Sequence, residues 1–151
     1  MKSQEIFIAK RENYTELITL WEESVRATHY FLTDSAIEHY KLLIFDYYFD
    51  TLKLYCIRKS ETIIGFIGLK EKFIQMLFVN PNYMGKGIGT VLINYAIHKH
   101  HATTVDVNEQ NTAAFGFYKK IGFLVTSRTA KDAAGMPYPV LSLTLGKLHS
   151  S

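Results

Sequence analysis

A single cysteine, Cys56, stands in the 151 residues of this chain. An internal disulfide is therefore excluded. A lone thiol inside the apolar run LKLYCIR reads as a buried core residue and not as a nucleophile. No stretch of about 18 uninterrupted apolar residues occurs, so no membrane span is expected. The opening MKSQEIFIAK lacks the layout of a signal peptide. Charge of one sign is also scarce. The net charge is +3, and no Lys/Arg run reaches the density of a nucleic-acid footprint. These absences point to a cytoplasmic protein with neither a membrane nor a nucleic-acid partner. Internal repeats and low-complexity linkers are missing too, and the expectation is one domain over residues 1–151.

What is present is apolar and aromatic. Hydrophobic residues make up 48% of the chain and charged residues 21%, the balance of a folded globular protein and not of a disordered one. Ten Tyr and ten Phe suit a large core or an aromatic-lined cleft.

The elements follow from periodicity and punctuation. Residues 6–9 read as a short strand. Asn13 and Glu16 have the spacing of a helix capping box, followed by Tyr14, Leu17, Ile18, Trp21 and Val25 at helical spacing. Thr33 or Asp34 caps a second helix running to about Phe49, with Ile37, Leu43, Ile44 and Tyr47 as apolar positions. Residues 54–58 and 63–69 form a hairpin around Ser60-Glu61, and Gly65 and Gly68 mark a bulge or a close approach of backbone. A strand over 73–79 leads to a helix over 87–100 with Ile88, Val91, Leu92 and Tyr95 on one face. A strand at 103–107, a helix from about Thr112 to Ile121 between Asn111 and Gly122, and strands at 123–128 and 140–145 complete the chain. This order, β-α-α-β-β-β-α-β-α-β-β, implies an α/β fold with a mixed sheet covered by helices.

The stretch LFVNPNYMGKGIGTVL, residues 77–92, carries the functional signal. An apolar strand runs into Asn-Pro, a glycine-rich turn and a helix. Gly85, Gly87 and Gly89 leave the backbone bare where the helix begins, and unpaired N–H groups at the positive end of the helix dipole are suited to a phosphate. A Walker A loop requires Lys followed by Ser or Thr, but Lys86 precedes Gly87. A dinucleotide fingerprint requires G-x-G-x-x-G, and Thr90 occupies the third glycine position. Glu109 lies about 20 residues on, as a ribose-binding acid would, but no second nucleotide-binding half is visible.

The stretch resembles closely the pyrophosphate loop of the GNAT acyltransferases, R/Q-x-x-G-x-G/A after a strand ending L-x-V-x-P. Met84, Gly87 and Gly89 follow Leu77, Val79 and Pro81 in that frame. Met84 departs from it, since the family has Arg or Gln there. Downstream, Asn111-x-x-Ala114-x-x-Phe117-Tyr118-x-x-x-Gly122-Phe123 resembles the second GNAT signature in every position. The segment WEESVRATHYFL, the VNEQN at 107–111 and the late PYP at 137–139 resemble one branch of small bacterial GNAT proteins, the YjaB-like acetyltransferases. The resemblance implies a mixed, mostly antiparallel sheet with splayed central strands flanked by about four helices.

It also implies chemistry. Acetyl-CoA would be the co-substrate, held by backbone groups of Leu77, Phe78 and Val79 along its pantetheine and by Met84, Gly85, Lys86, Gly87, Ile88, Gly89 and Thr90 at its pyrophosphate, with Asn111 on the pantetheine arm. The reaction would be direct acetyl transfer to a primary amine, either a protein lysine or N-terminus or a small molecule. No enzyme nucleophile is needed, and no G-x-S-x-G elbow or Cys-His pair offers one. Tyr118 matches the general acid, a phenol that is protonated at neutral pH. The Leu77 or Phe78 N–H would bind the oxyanion. Gln75 stands where many members carry a basic Glu, so Glu109, His29 or a water chain would take the ammonium proton. His29, Tyr30, Phe31 and Tyr138 are the candidates for the acceptor cleft, and Asp132 is a candidate to receive a cationic amine.

His98, His100 and His101 cluster at a helix end without a Cys or carboxylate at ligand spacing, and no metal is expected. A catalytically weak CoA-binding module is the alternative, suggested by Gln75 and Met84. The partner is an amine acceptor, and the protein is expected to be a monomer or homodimer.

Overall fold

The structure is a computed structural model that describes residues 5–146. The chain divides into two compact units, Met1–Ala102 and Thr103–Ser151.

In the first unit four strands, β1 (Ile6–Ile8), β2 (Lys53–Lys59), β3 (Thr62–Lys70) and β4 (Phe73–Val79), pair antiparallel in chain order. Helix α1 (Tyr14–Thr28) buries Leu17, Ile18, Trp21 and Val25, the stripe expected from their spacing. Each such side chain contributes about 1.5–3 kcal/mol by leaving water. Its start differs from the sequence reading. Asn13 makes no side-chain cap on α1; its Oδ1 accepts the Lys10 N–H at 2.8 Å instead, closing a 3-10 turn before the helix. Glu16 is also drawn away: its Oε2 accepts the N–H of Ile63 at 2.8 Å. That N–H sits beside a bulge. Ile57 pairs with Gly65 and Arg58 with Ile63, which leaves Ile64 as the extra residue of β3. A buried unpaired N–H is costly, so the carboxylate serves the strand before its own helix.

Helix α2 (Asp34–Leu43) begins at Thr33, whose hydroxyl accepts the Ala36 N–H at 3.0 Å. It widens into a π-helical turn, Ile44–Tyr48, and ends in one α turn, Phe49–Thr51. The Phe49 N–H bonds to the carbonyl of Ile44, five residues back. The wider turn brings Ile44 and Phe49 into the core together and rotates Tyr47 outward, where it is 64% exposed. Tyr47 is thus no core position, because an α-helical period does not hold there.

Two further features position the loop after β4. Gly68 pairs with Met76 and Leu69 with Ile74, so Gln75 is the extra residue of a second bulge. Helix α3 (Ile88–His100) buries Ile88, Leu92, Ile93, Ala96 and Ile97, whereas Val91 faces outward at 39% exposure. A Cβ on Gly65 would stand 2.8 Å from Cγ2 of Ile88 and 3.3 Å from Cδ1 of Leu92, so the helix rests on bare backbone.

In the second unit, β5 (Thr104–Asn108) and β6 (Phe123–Thr129) both pair antiparallel with β7 (Val140–Leu145), in the order β5-β7-β6. Helix α4 (Thr112–Ile121) is capped by Asn111, whose Oδ1 accepts the Ala114 N–H at 3.1 Å, and is stopped by Gly122 at φ 124°. Both caps are where the sequence places them.

Replacing Gly65 by Ala is expected to destabilise the protein by about 1–3 kcal/mol, because the new methyl group overpacks the seat of α3. Chemical denaturation of Gly65→Ala with an unchanged midpoint would contradict this seating.

Candidate functional site

The first unit carries a loop built to expose backbone N–H groups. After β4, the Asn80 N–H bonds to the Ile64 carbonyl at 2.8 Å, and its side chain accepts the Asn82 N–H at 2.9 Å. A 3-10 turn, Pro81–Tyr83, follows, and the chain becomes extended at Met84. Gly85 and Gly87 then take φ of 75° and 84°, the left-handed region that glycine enters without steric cost. A Cβ at either position would meet nothing within 4 Å, so their conformation and not crowding demands glycine, and the space beside them is open. The first bond of α3 runs from the Val91 N–H to the Gly87 carbonyl at 3.0 Å. The N–H groups of Ile88, Gly89 and Thr90 lie ahead of that bond, at the positive end of the helix dipole.

Met84 is 40% exposed, and its N–H makes only a long bond of 3.4 Å to Pro81. It offers no charge where the family has Arg or Gln. Positive charge comes from neighbours. Lys86 Nζ lies 5.5 Å from the centre of the Tyr83 ring, and Lys59 Nζ lies 5.3 Å from the same ring. Lys59 comes from the hairpin end of β2, and no motif in the sequence links it to the loop.

His29 closes α1 as its C-cap. Its backbone N–H bonds to Val25 at 2.7 Å, and its carbonyl accepts the Leu32 N–H at 3.0 Å. The imidazole packs against Phe31 at 5.4 Å and Phe78 of β4 at 6.4 Å between ring centroids, and Phe78 also meets Trp21 and Phe66. A helix C-terminus favours imidazolium by about 2 kcal/mol at most. Burial opposes it and wins: it lowers the His29 pKa from 6.5 to about 4, roughly 3 kcal/mol against the charged form. The ring is neutral at pH 7. Of the other expected cleft residues here, Phe31 joins this aromatic cluster, whereas Tyr30 is 84% exposed. Gln75 is exposed at its bulge.

In the second unit Tyr118 lies on α4, 5% exposed, with edge-on contacts to Phe117 at 5.2 Å and Phe123 at 5.5 Å. Burial raises its pKa well above the ordinary phenol value, so it holds its proton at neutral pH. Glu109 is committed elsewhere. Arg128 grips it through Nε at 2.7 Å and Nη2 at 3.0 Å, which holds its carboxyl below the ordinary range and makes it a poor proton acceptor. Asp132 organises its own loop, its Oδ1 accepting the N–H groups of Ala134 and Met136 at 3.0 and 2.9 Å. These bonds shape the turn between Asp132 and Met136. Tyr138, half-buried, donates its N–H to the Met136 carbonyl at 2.8 Å. Asn108 leaves Oδ1 buried without a hydrogen-bond partner among the described residues. An acceptor in that state costs about 1–3 kcal/mol until a donor reaches it. The sequence held it in plain view, in VNEQN, but nothing in a strand pattern reveals an unmet acceptor.

Cys56 is buried, and burial pushes its thiol up to about 12, as expected of an inert core residue. Among the described residues no group of three metal-ligating side chains assembles, and no helix is long and apolar enough to cross a membrane.

A glycine-bared helix start of this kind is suited to a phosphorylated ligand. The acetyltransferase (GNAT) domain family matches residues 19–138, and the chain belongs to that family. It is 37% identical over 135 residues to the peptidyl-lysine N-acetyltransferase YjaB of Salmonella typhimurium, covering 89% of this chain and 93% of that one. The solution structure of apo-form YjaB from Escherichia coli superposes with a TM-score of 0.87 at 34% identity, over 96% of this chain and 99% of the other. The PaiA N-acetyltransferase of Thermoplasma acidophilum, solved with coenzyme A, shares the fold with a TM-score of 0.74 at 24% identity, over 95% and 99% of the two chains. The fold is thus the GNAT fold, and the protein is an N-acetyltransferase.

His29 gives the protein an acid sensitivity. Between pH 6.5 and about 4 the unfolded chain binds a proton that native His29 refuses, so stability present above pH 6.5 is lost as the pH falls. Over that window wild type should lose roughly 3 kcal/mol more than His29→Gln. Parallel melting curves of the two proteins from pH 7 to 4 would show that a charged histidine is tolerated there.

Proposed function

We propose that the protein transfers an acetyl group from acetyl-CoA directly to the ε-amine of a peptidyl lysine. The observation that carries the cofactor half is the turn at Gly85 and Gly87, whose left-handed backbone leads into the N–H groups of Ile88, Gly89 and Thr90. Lysine as acceptor is supported by the activity named for the YjaB relative, 37% identical over nearly all of both chains.

In this reading Met84, Gly85, Lys86, Gly87, Ile88, Gly89 and Thr90 receive the pyrophosphate, with Lys59 adding charge. The backbone of Leu77, Phe78 and Val79 receives the pantetheine, and Asn111 its arm. Acetyl-CoA supplies the activated acyl carbon. His29 takes the ammonium proton at Nε2 and frees the amine to attack. The Leu77 or Phe78 N–H stabilises the oxyanion. Tyr118 gives its proton to the departing CoA sulfur as the new amide nitrogen sheds its second proton to water; the phenolate is then reprotonated from water, and His29 releases its proton to solvent. His29 is preferred to Glu109 because Arg128 occupies both Glu109 carboxylate oxygens, whereas the imidazole lies among the rings of Phe31 and Phe78 beside β4. Phe31 fits the apolar wall of an acceptor cleft, and exposed Tyr30 fits its rim.

Acetyl-CoA and CoA, but not NAD, are expected to raise the melting temperature, since a ligand that binds only the native state stabilises it. Tyr118→Phe should keep that shift and lose about 10²–10⁴-fold in thiol release with lysine peptides. Full turnover in Tyr118→Phe would remove Tyr118 from the reaction, and no shift with either CoA species would remove the loop assignment.

A further inference from the structure

We propose that Glu16 is a positioning residue for the cofactor, acting through the bulge of β3 to hold both ends of the glycine loop. The inference rests on the reading of that loop as the site of the CoA pyrophosphate and adds to it a residue from α1.

Three consecutive residues of β3 are each held by a different element. The Ile63 N–H donates to Glu16 Oε2 at 2.8 Å, across 47 positions of the chain. The Ile64 carbonyl accepts the Asn80 N–H at 2.8 Å, where the loop leaves β4. Gly65 is the seat of Ile88, where the loop ends, and has no room for one methyl group more. The loop is therefore hung at both ends on the two residues that follow Ile63. Asn80 passes the placement on: its Oδ1 accepts the Asn82 N–H at 2.9 Å, and its carbonyl accepts the Tyr83 N–H at 2.8 Å. From there Met84 and the two left-handed glycines lead to the N–H groups of Ile88, Gly89 and Thr90.

A bulge is a weak point of a strand, because its extra residue falls outside the ladder. Ile64 is that residue here, with Ile57 paired to Gly65 and Arg58 to Ile63. The carboxylate on the neighbouring N–H makes a charge-assisted bond, stronger than a neutral one. Without it Ile63 must find another acceptor, and the displacement passes directly to Ile64 and Gly65. N–H donors hold an oxygen only within about 2.7–3.2 Å, so a small shift of Asn80 or Ile88 costs contacts to a phosphate.

Charge makes the opposite demand. Glu16 lines one groove of α1 together with Glu12, Glu23 and Asn80. Carboxylates near the start of an anion site repel the anion. If charge governs, removing Glu16 tightens CoA binding; if the bond to Ile63 governs, removing it loosens CoA binding.

Calorimetric titration with CoA, which needs no acceptor, separates the two by sign. Glu16→Ala should weaken CoA binding about tenfold. Glu16→Asp, one methylene too short to reach Ile63, should weaken it alike. Glu16→Gln keeps an acceptor oxygen at the same reach and should bind within about twofold of wild type. Glu23→Ala removes a carboxylate from the same groove but not the one on Ile63, and should bind no more weakly than wild type. Amide exchange at Asn80 should quicken in Glu16→Ala and Glu16→Asp and stay as in wild type in Glu16→Gln. With a lysine peptide, the KM for acetyl-CoA should rise in Glu16→Ala while kcat holds, the mark of lost binding shared by ground and transition states. CoA binding in Glu16→Ala and Glu16→Asp as tight as in wild type, or tighter, overturns the role of Glu16. So does Glu16→Gln binding as weakly as Glu16→Ala. Should Glu16→Ala fail to fold, Glu16→Asp against Glu16→Gln carries the test. If wild type itself does not bind CoA, the loop reading falls and takes Glu16 with it.

Discussion

The seat of α3 on Gly65 is the constraint on which the first unit depends. A phosphate-binding helix start works only if its N–H groups stay aimed at one place. A helix free to slide by part of a turn would spread those donors over several ångströms. Here the first residue of the helix, Ile88, touches bare backbone at a point where one methyl group more would collide. Gly65 in turn sits at the bulge of β3, whose extra residue is Ile64. The bulge is held from two sides: Glu16 takes the Ile63 N–H, and the Ile64 carbonyl takes the Asn80 N–H at the point where the loop departs. Strand irregularity, loop departure and helix seat are therefore one mechanical unit. The glycines of the loop itself are different. They are there for their φ, and the space around them is open.

A second constraint is the balance around His29. A helix C-terminus and an aromatic pocket make opposite demands on an imidazole. The pocket prevails because burial against Phe31 and Phe78 removes water from the ring. An anion brought beside the ring would raise its proton affinity.

Much of this was legible in the sequence. Every strand was readable from apolar runs, and Asn111 and Gly122 were readable as caps, with Thr33 as one of two candidates, because their partners lie within four residues. Local reasoning failed where a distant group outbid a local one. Glu16 has the spacing of a capping box, but Ile63, distant in sequence, offers it a buried N–H. Glu109 looked like an available base, but Arg128 arrives from the next strand. Tyr47 looked like a core position, but a π turn changed the period beneath it. The second GNAT signature was legible as a motif, whereas the burial that sets the protonation of Tyr118 belongs to packing.

The departures from the family pattern take on a different meaning beside the geometry. Met84 removes a cation from the loop, and on charge alone that would weaken the hold on a pyrophosphate. Lys86 from the loop and Lys59 from the first hairpin both approach the Tyr83 ring, within 5.5 and 5.3 Å. An aromatic face attracts both ammonium groups and keeps them near the loop, at a modest gain of about 0.5–1 kcal/mol each. The charge is thus moved from a single side chain to a pair gathered on one ring. For a pyrophosphate, a pair of ammonium groups would give up the fixed fork of an arginine and keep the attraction, because lysine acts as a point charge and not as a template. Geometry is then left to the part of the site that can supply it, the N–H groups of Ile88, Gly89 and Thr90, held in place by the contact of Ile88 with Gly65.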